Sequence, residues 1–339
     1  MSAPILWIVL PVIFSGGLLF IVRWRRVSAW VGSALALLFA GSALLLPVGK
    51  SISLGILTFE IQQSWSLFGR RFILENADRP FVVIVYLSIA FWFIGSQHTK
   101  VHSLLIPVGM ASGALLIAAV LIQPFYYGAI SLLIAAMIVV ILFVSEAEEV
   151  TLGIKRYWIF QGLAMPLLLL AGWLMSGTEA SAGEIPAATL IYTLLLIGFS
   201  LLLSGVPFQS WLPAVAQRVN PYSFSFAIFI TSFSTLLFVL VFLRQTAWLI
   251  TSSWMILFFS FQGLLMTFLG GLGAIYHHHL GRWMGYAVVK EIGLSFLTVS
   301  LGLTSSQPLS FLPILFMQIL PRGIALALLG LALNIFHDR

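Results

Sequence analysis

Apolar residues along this chain come in runs of about 20, the length of helix that crosses a hydrocarbon core roughly 30 Å thick. The runs predict eleven spans, at 4–22, 28–48, 80–96, 103–122, 125–145, 157–176, 187–206, 222–243, 251–276, 283–303 and 309–336. They are apolar on every side and lack the period-2 alternation of a membrane barrel, so the expected architecture is an all-α polytopic bundle. One stretch departs from the pattern. Within residues 49–79, the segment FEIQQSWSLFGRRFILENADRP alternates polar and apolar residues, as a β-hairpin lying outside the membrane would; a plain amphipathic connector reads equally well. The chain thus divides into two N-terminal helices (1–48), an extramembrane hairpin or loop (49–79) and a helical core (80–336). SGTEASAGEIP, 176–186, reads as an ordinary exposed turn.

Composition sharpens this picture. Of 339 residues, 61% are hydrophobic and 8% charged, which leaves no room for a soluble catalytic domain. With no cysteine, thiol nucleophiles, disulfides and Cys-ligated iron–sulfur clusters are excluded. No span pairs a Ser or Asp nucleophile with a plausible base, and no glycine-rich phosphate loop occurs. The first run, Pro4 to Val22, is longer than a usual signal sequence core and no small-residue cleavage site follows, so it reads as a retained helix.

The net charge of +6 is spread thinly over loops, the footprint of membrane flanks and not of nucleic-acid binding. Placing the 23–27 loop inside puts Arg23, Arg25, Arg26, Lys100, Lys155, Arg156, Arg218, Arg282 and Arg339 on that side, against Lys50, Arg70, Arg71, Arg79 and Arg244. The bias predicts an N-terminus outside and a C-terminus in the cytoplasm.

Three ionisable residues fall inside spans: Lys290, Glu291 and Arg322. Each costs at least about 2.5 kcal/mol near the bilayer centre, so each needs a reason, and proton or ion pathways are the default one. Lys290 and Glu291 are neighbours in GYAVVKEIGLSF, and 100° of helical rotation is expected to turn them to different partners. They read as a carboxylate on a hydrophilic track, or as a structural pair in which Lys290 snorkels to the headgroups. Arg322 follows Pro321, where it can satisfy the carbonyl that proline frees; it cannot titrate, so it holds a fixed charge or anchors two helices. His277, His278 and His279 point about 100° apart and read as an interfacial polar cap, with metal binding or proton sensing as the alternative.

Three segments, in order, carry a resemblance. KRYWIFQGLAMPLLLLAG (155–172), GFSLLLSGVPFQSWLPAVAQRVNPYS (198–223) and GRWMGYAVVKEIG (281–293) are similar to segments of the antiporter-like membrane subunits of respiratory complex I, energy-converting hydrogenases and multisubunit cation/proton antiporters. The specific part is Pro207, Phe208, Trp211, Leu212 and Pro213, which match the PF-x-x-WLP core of that family's signature.

The resemblance covers roughly residues 80–336 and implies inverted repeats of about five helices, each with a broken helix. In that frame GVPFQSWLP is a turn at the inner end of the seventh span, with Trp211 in the interfacial belt, and Pro166 and Pro321 are the prolines expected to kink or break helices. The resemblance also implies a lysine where this chain has Leu202, a glutamate near Ala135 to Met137, and often another lysine where Thr231 and Ser232 stand. Glu291 falls where relatives carry a histidine, and Arg322 near a family lysine. Relatives continue for several spans beyond the last helix here, so the fold is expected to be C-terminally truncated.

The implied function is a membrane-arm subunit of a complex I-like (NADH/quinone oxidoreductase-type) proton-pumping complex. Its own channel is degenerate at Leu202, and its role mainly structural or coupling. The alternatives are an active proton- or sodium-conducting subunit using Glu291 and Lys290, and a stand-alone secondary transporter. The chain itself is expected to bind no cofactor or metal and to catalyse nothing alone. Quinone, flavin or iron–sulfur clusters belong to partner subunits; the expected surroundings are other membrane-arm subunits and lipids, in a prokaryotic cytoplasmic membrane.

Overall fold

The computed structural model describes residues 2–49, 51–54, 57–147, 149–178, 185–304 and 312–337. The centre of the 176–186 turn, Lys50 and Arg339 lie outside them. Each predicted span is a helix: α1 (Leu10–Ile21, preceded by a π-helical turn Ile5–Val9), α2 (Arg25–Leu45), α3 (Arg79–Gly95), α4 (Leu105–Leu121), α5 (Gly128–Ala147), α6 (Leu152–Thr178), α7 (Ile185–Leu202), α9 (Pro221–Arg244), α11 (Ser253–Tyr276), α12 (Leu280–Thr304) and α13 (Leu312–His337). Two short helices, α8 (Trp211–Ala216) and α10 (Ala247–Ile250), complete the set. Among the described residues, seven helices are long and apolar enough to cross a membrane, and shorter apolar helices accompany them. Helices satisfy all their backbone groups internally, so an apolar chain of this kind has few other ways to cross lipid.

The chain forms two compact units, Met1–Ser145 and Glu146–Arg339. In the first, α2 lies along α3, α1 against α4, and α4 also touches α2 and α3. Lipid offers little hydrophobic drive between helices, so cross-helix hydrogen bonds matter here. Tyr86 Oη donates to the Trp7 carbonyl at 2.6 Å, Trp7 Nε1 to Ser42 Oγ at 3.0 Å, and Ser15 Oγ to the Pro107 carbonyl at 2.8 Å. Arg79 Nε donates to the Ala43 carbonyl at 2.8 Å and so caps the C-terminal turn of α2.

The segment between α2 and α3 holds β1 (Ser51–Leu54) and β2 (Leu57–Glu60), then β3 (Ser64–Leu67) and β4 (Arg70–Ile73), each an antiparallel pair. The two-residue turn of the second pair, Phe68–Gly69, has both φ angles positive, the geometry that matches the twist of paired strands. A short strand β5 (Ile122–Gln123), directly after α4, adds to β4 with Arg71 opposite Gln123. Arg70 lies 3.7 Å over the ring of Tyr127, tying the hairpin to the start of α5.

In the second unit, α11 and α12 form the most extensive helix pair, α6 lies along α7, and α13 along α9. The short α8 packs on α6 and α12. Residues of α9 are buried along almost its whole length. The close approach of α11 to α12 needs glycine: a Cβ at Gly270 would lie 2.5 Å from the backbone nitrogen of Lys290, and one at Gly273 would overlap the Tyr286 ring.

The prolines do not break their helices. Both α6 and α13 run unbroken through Pro166 and Pro321. The interruption falls between α7 and α8, where GVPFQSWLP is not a simple turn: the helix stops at Leu202 and a buried helix resumes at Trp211. A proline inside a helix removes one hydrogen bond, which neighbouring helices tolerate, whereas a left-handed residue turns the chain away.

Candidate functional site

The break is built residue by residue. Ser204 takes φ +57°, and Gly205 N donates to the Ser200 carbonyl (2.7 Å) while Ser204 N donates to the Leu201 carbonyl (3.4 Å). This is the Schellman arrangement, with serine at the left-handed position where glycine is usual. Ser204 is held there from the side, since its Oγ accepts from Trp211 Nε1 at 2.9 Å. Trp211 is therefore a core residue, 3% exposed with its ring tilted against Tyr157 at 4.4 Å between centroids, and not the lipid-facing aromatic of a belt. Leu212 and Pro213 are buried beside it.

Beyond the motif, Gln262 of α11 exchanges two hydrogen bonds with one residue: Val206 N donates to its Oε1 at 2.8 Å, and its Nε2 donates to the Val206 carbonyl at 2.9 Å. Pro207 follows across a cis peptide, and Phe208 opens a 3-10 turn through Ser210, its ring edge-on to Phe160. Gln209 Oε1 is buried without a hydrogen-bond partner among the described residues. Leu202, last residue of α7, is 6% exposed, and its carbonyl accepts from Gln161 Nε2 of α6 at 3.2 Å.

The second element is ionic. Glu291 Oε2 lies 2.9 Å from Arg322 Nε, and Oε1 lies 3.5 Å from Lys290 Nζ. Adjacent positions start 100° apart, yet the flexible four-carbon stem of Lys290 bends back to its neighbour, against the expectation of separate partners. Among the described residues, the partners of Arg322 are side chains. It reaches from α13 to α12, donating through Nη1 to Ser295 Oγ (3.0 Å) and through Nη2 to Gln318 Oε1 (3.5 Å). Thr298 Oγ1 donates to the same Gln318 oxygen at 2.8 Å. Two cations and one carboxylate leave the cluster with one excess positive charge. Lys290, with 44% of its side chain exposed against 24% for Arg322, is the cation placed to solvate it.

A cavity of about 60 Å³ adjoins the cluster, lined by Glu291, Arg322, Ser295 and Ser232 and by apolar residues including Leu203, Phe233 and Phe296. Of the α9 hydroxyls, Ser232 faces this cavity, while Thr231 donates to its own helix at the Ala227 carbonyl (2.6 Å).

The histidines lie elsewhere. His277 packs on Tyr286 with ring centroids 4.7 Å apart and bonds the Gly273 carbonyl at 2.9 Å. His278 and His279 line a larger polar cavity of about 490 Å³ with Glu146, Gln217, Arg218 and Asn220, where Ser223 Oγ donates to Glu146 Oε1 at 2.7 Å. Among the described residues, no group of three His, Asp or Glu side chains is placed to hold a metal ion. Gln161, Gln262 and Gln318 bond these elements together and carry no charge that would mark them in the sequence. Their only signal is an uncharged amide within an apolar span.

No protein-family model matches the sequence, and no curated protein matches it significantly. Solved structures do match in fold. A chain in the structure of the Mrp complex from Dietzia sp. DQ12-45-1b superposes with a TM-score of 0.64 at 16% identity, over 98% of this chain and 64% of that one. A chain of respiratory complex I from Thermus thermophilus with bound NADH gives a TM-score of 0.65 at 17% identity, over 99% and 72%. The chain thus spans somewhat under two thirds of the length of the Mrp chain it resembles. The eleven apolar helices among its described residues, with one interrupted at the PF-x-x-WLP stretch, make it an integral membrane protein with the fold of the antiporter-like membrane subunits.

Proposed function

We propose that this chain is a membrane-arm subunit of a complex I-like, redox-driven proton-pumping assembly, and that its role there is structural or coupling. Its fold neighbours are chains of multisubunit membrane complexes. The observation that carries the reading is at Leu202. At the helix break a leucine stands where the family resemblance implies a lysine, and the side chains that bond the backbone of residues 202 and 206 are the neutral amides of Gln161 and Gln262. A leucine cannot exchange a proton, and serine and threonine hydroxyls can at most hydrogen-bond a chain of waters. Electron transfer, quinone, flavin and iron–sulfur clusters then belong to partner subunits, with lipid filling the remaining perimeter. The charge bias of the loops supports an N-terminus outside and a C-terminus in the cytoplasm of a prokaryotic cell.

The test is purification in mild detergent through a tag on this chain, with mass spectrometry of what accompanies it. Membrane-arm and redox subunits in fixed ratio are expected. A monodisperse chain arriving alone would overturn the proposal and leave the stand-alone transporter.

A second reading, conduction of protons or sodium past Glu291, is favoured by the cavity beside the carboxylate. Its volume of about 60 Å³ has room for a few waters between Ser232 and Glu291.

A further inference from the structure

Gln161 and Gln262 are buried amides that neither reading uses, 6% and 8% exposed, and both address the same eight residues. An interrupted helix inside a membrane protein leaves orphan carbonyls and amides, which water, ions or side chains must satisfy. At this break the protein's own groups take them. The last four carbonyls of α7 are all used: Phe199 by Leu203 N, Ser200 by Gly205 N, Leu201 by Ser204 N and Leu202 by Gln161 Nε2. The amides of residues 203–205 are spent in the same bonds, and that of Val206 on Gln262. Each polar group in this count has a hydrogen-bond partner within the protein.

Gln262 carries the part of the arrangement that the loop cannot supply for itself. A primary amide is both donor and acceptor, so one side chain can engage both backbone groups of a single residue as a paired strand does. Among the described residues, the other hydrogen bonds in this set join the loop to α6, α7 or itself, while Gln262 ties it to α11. Gly205 sits under the same side chain, where a Cβ would lie 3.2 Å from Gln262 Oε1.

We propose that Gln262 is a latch that keeps the α7–α8 break closed and dry, so that the segment holding Leu202 is sealed against water and ions. This deepens the reading of the chain as a subunit whose channel is closed at Leu202 and rests on it. Gln209 Oε1, beyond this segment, is buried without a hydrogen-bond partner among the described residues.

The natural absence of cysteine makes the test direct. Leu202→Cys, exposed Ser210→Cys and Ser112→Cys, buried in the other unit, are made singly in the full-length chain. Each is treated in native membranes with a charged methanethiosulfonate reagent, which reacts with hydrated thiolates. Cys at 202 is expected to react far more slowly than Cys at 210. Adding Gln262→Leu removes both hydrogen bonds, each worth about fivefold in an opening equilibrium, so labelling at 202 should speed up by roughly 30-fold while 112 stays silent.

Fast labelling at 202 in the otherwise native chain, or no acceleration in Gln262→Leu, overturns the latch. Should Gln262→Leu also expose position 112, the fold has been lost. Gln262→Asn, which keeps the amide but is one methylene shorter, is then scored by the same two outcomes. The labelling does not depend on which subunits co-purify, so failure of the latch and failure of the subunit reading are seen separately.

Discussion

Arg322 on α13 and Glu291 on α12 form an ion pair 2.9 Å long, and the same guanidinium holds Ser295 and Gln318, so one side chain binds polar groups of two helices. Removing Arg322 leaves Glu291 only the more distant Lys290 ammonium at 3.5 Å, whereas removing both leaves Lys290, which is exposed enough to be solvated. Arg322→Met alone is expected to destabilise the chain by up to about 3 kcal/mol, a ceiling set by the partial exposure of both groups. Arg322→Met with Glu291→Leu should recover at least about 1 kcal/mol of that loss. Thermal unfolding of the purified chain, in a double-mutant cycle, checks both.

Glu291→Gln separates the structural reading from the conducting one. Gln keeps the shape and loses the titrating proton. With assembly intact, proton translocation by the complex is expected to stay within about twofold of native; a carboxylate that relays protons would cost roughly a hundredfold. The measurement is pumping in proteoliposomes, normalised to the redox rate.

Leu202→Lys places an ammonium where a buried leucine ends α7. We expect destabilisation of up to about 2.5 kcal/mol, since the cost of a lysine at the centre of an apolar span is reduced at a helix end, where the stem can snorkel. No gain in proton translocation should accompany it. Thermal unfolding and the proteoliposome assay report the two effects.

Gly270→Leu drives a side chain into the backbone of Lys290 across the α11–α12 seam. Overpacking of this kind costs about 1–3 kcal/mol. Because the displaced residue precedes Glu291, the variant should also weaken the coupling between Arg322 and Glu291 in the cycle above.

Most of the helix plan could be read in advance because length and hydropathy decide it: all eleven spans became helices with boundaries a few residues off. The family resemblance rested on five residues around Pro207 and Trp211, and the fold agrees with it at an identity of only 16–17%. What failed was local. Pro166 and Pro321 look like breaks in a sequence, yet each costs one hydrogen bond that a packed helix can lose. The actual break depends on Ser204 adopting a left-handed conformation, which follows from Trp211 seven residues away and is invisible to propensity. Trp211 itself was expected among lipid-facing aromatics by a statistical rule about belts, and tertiary packing buried it instead. Lys290 and Glu291 were separated by helical geometry that ignores the length of a lysine stem. The amides of Gln161 and Gln262 left no charge to notice, and their partners lie 41 and 56 residues away.

The placement of α8 has a mechanical consequence. Pro213 sits against Gly285 of α12, and Glu291 lies six residues, about 9 Å, further along the same helix. The short helix of the PF-x-x-WLP stretch and the carboxylate therefore bear on one and the same helix, and a side chain at position 285 would push α8 off it.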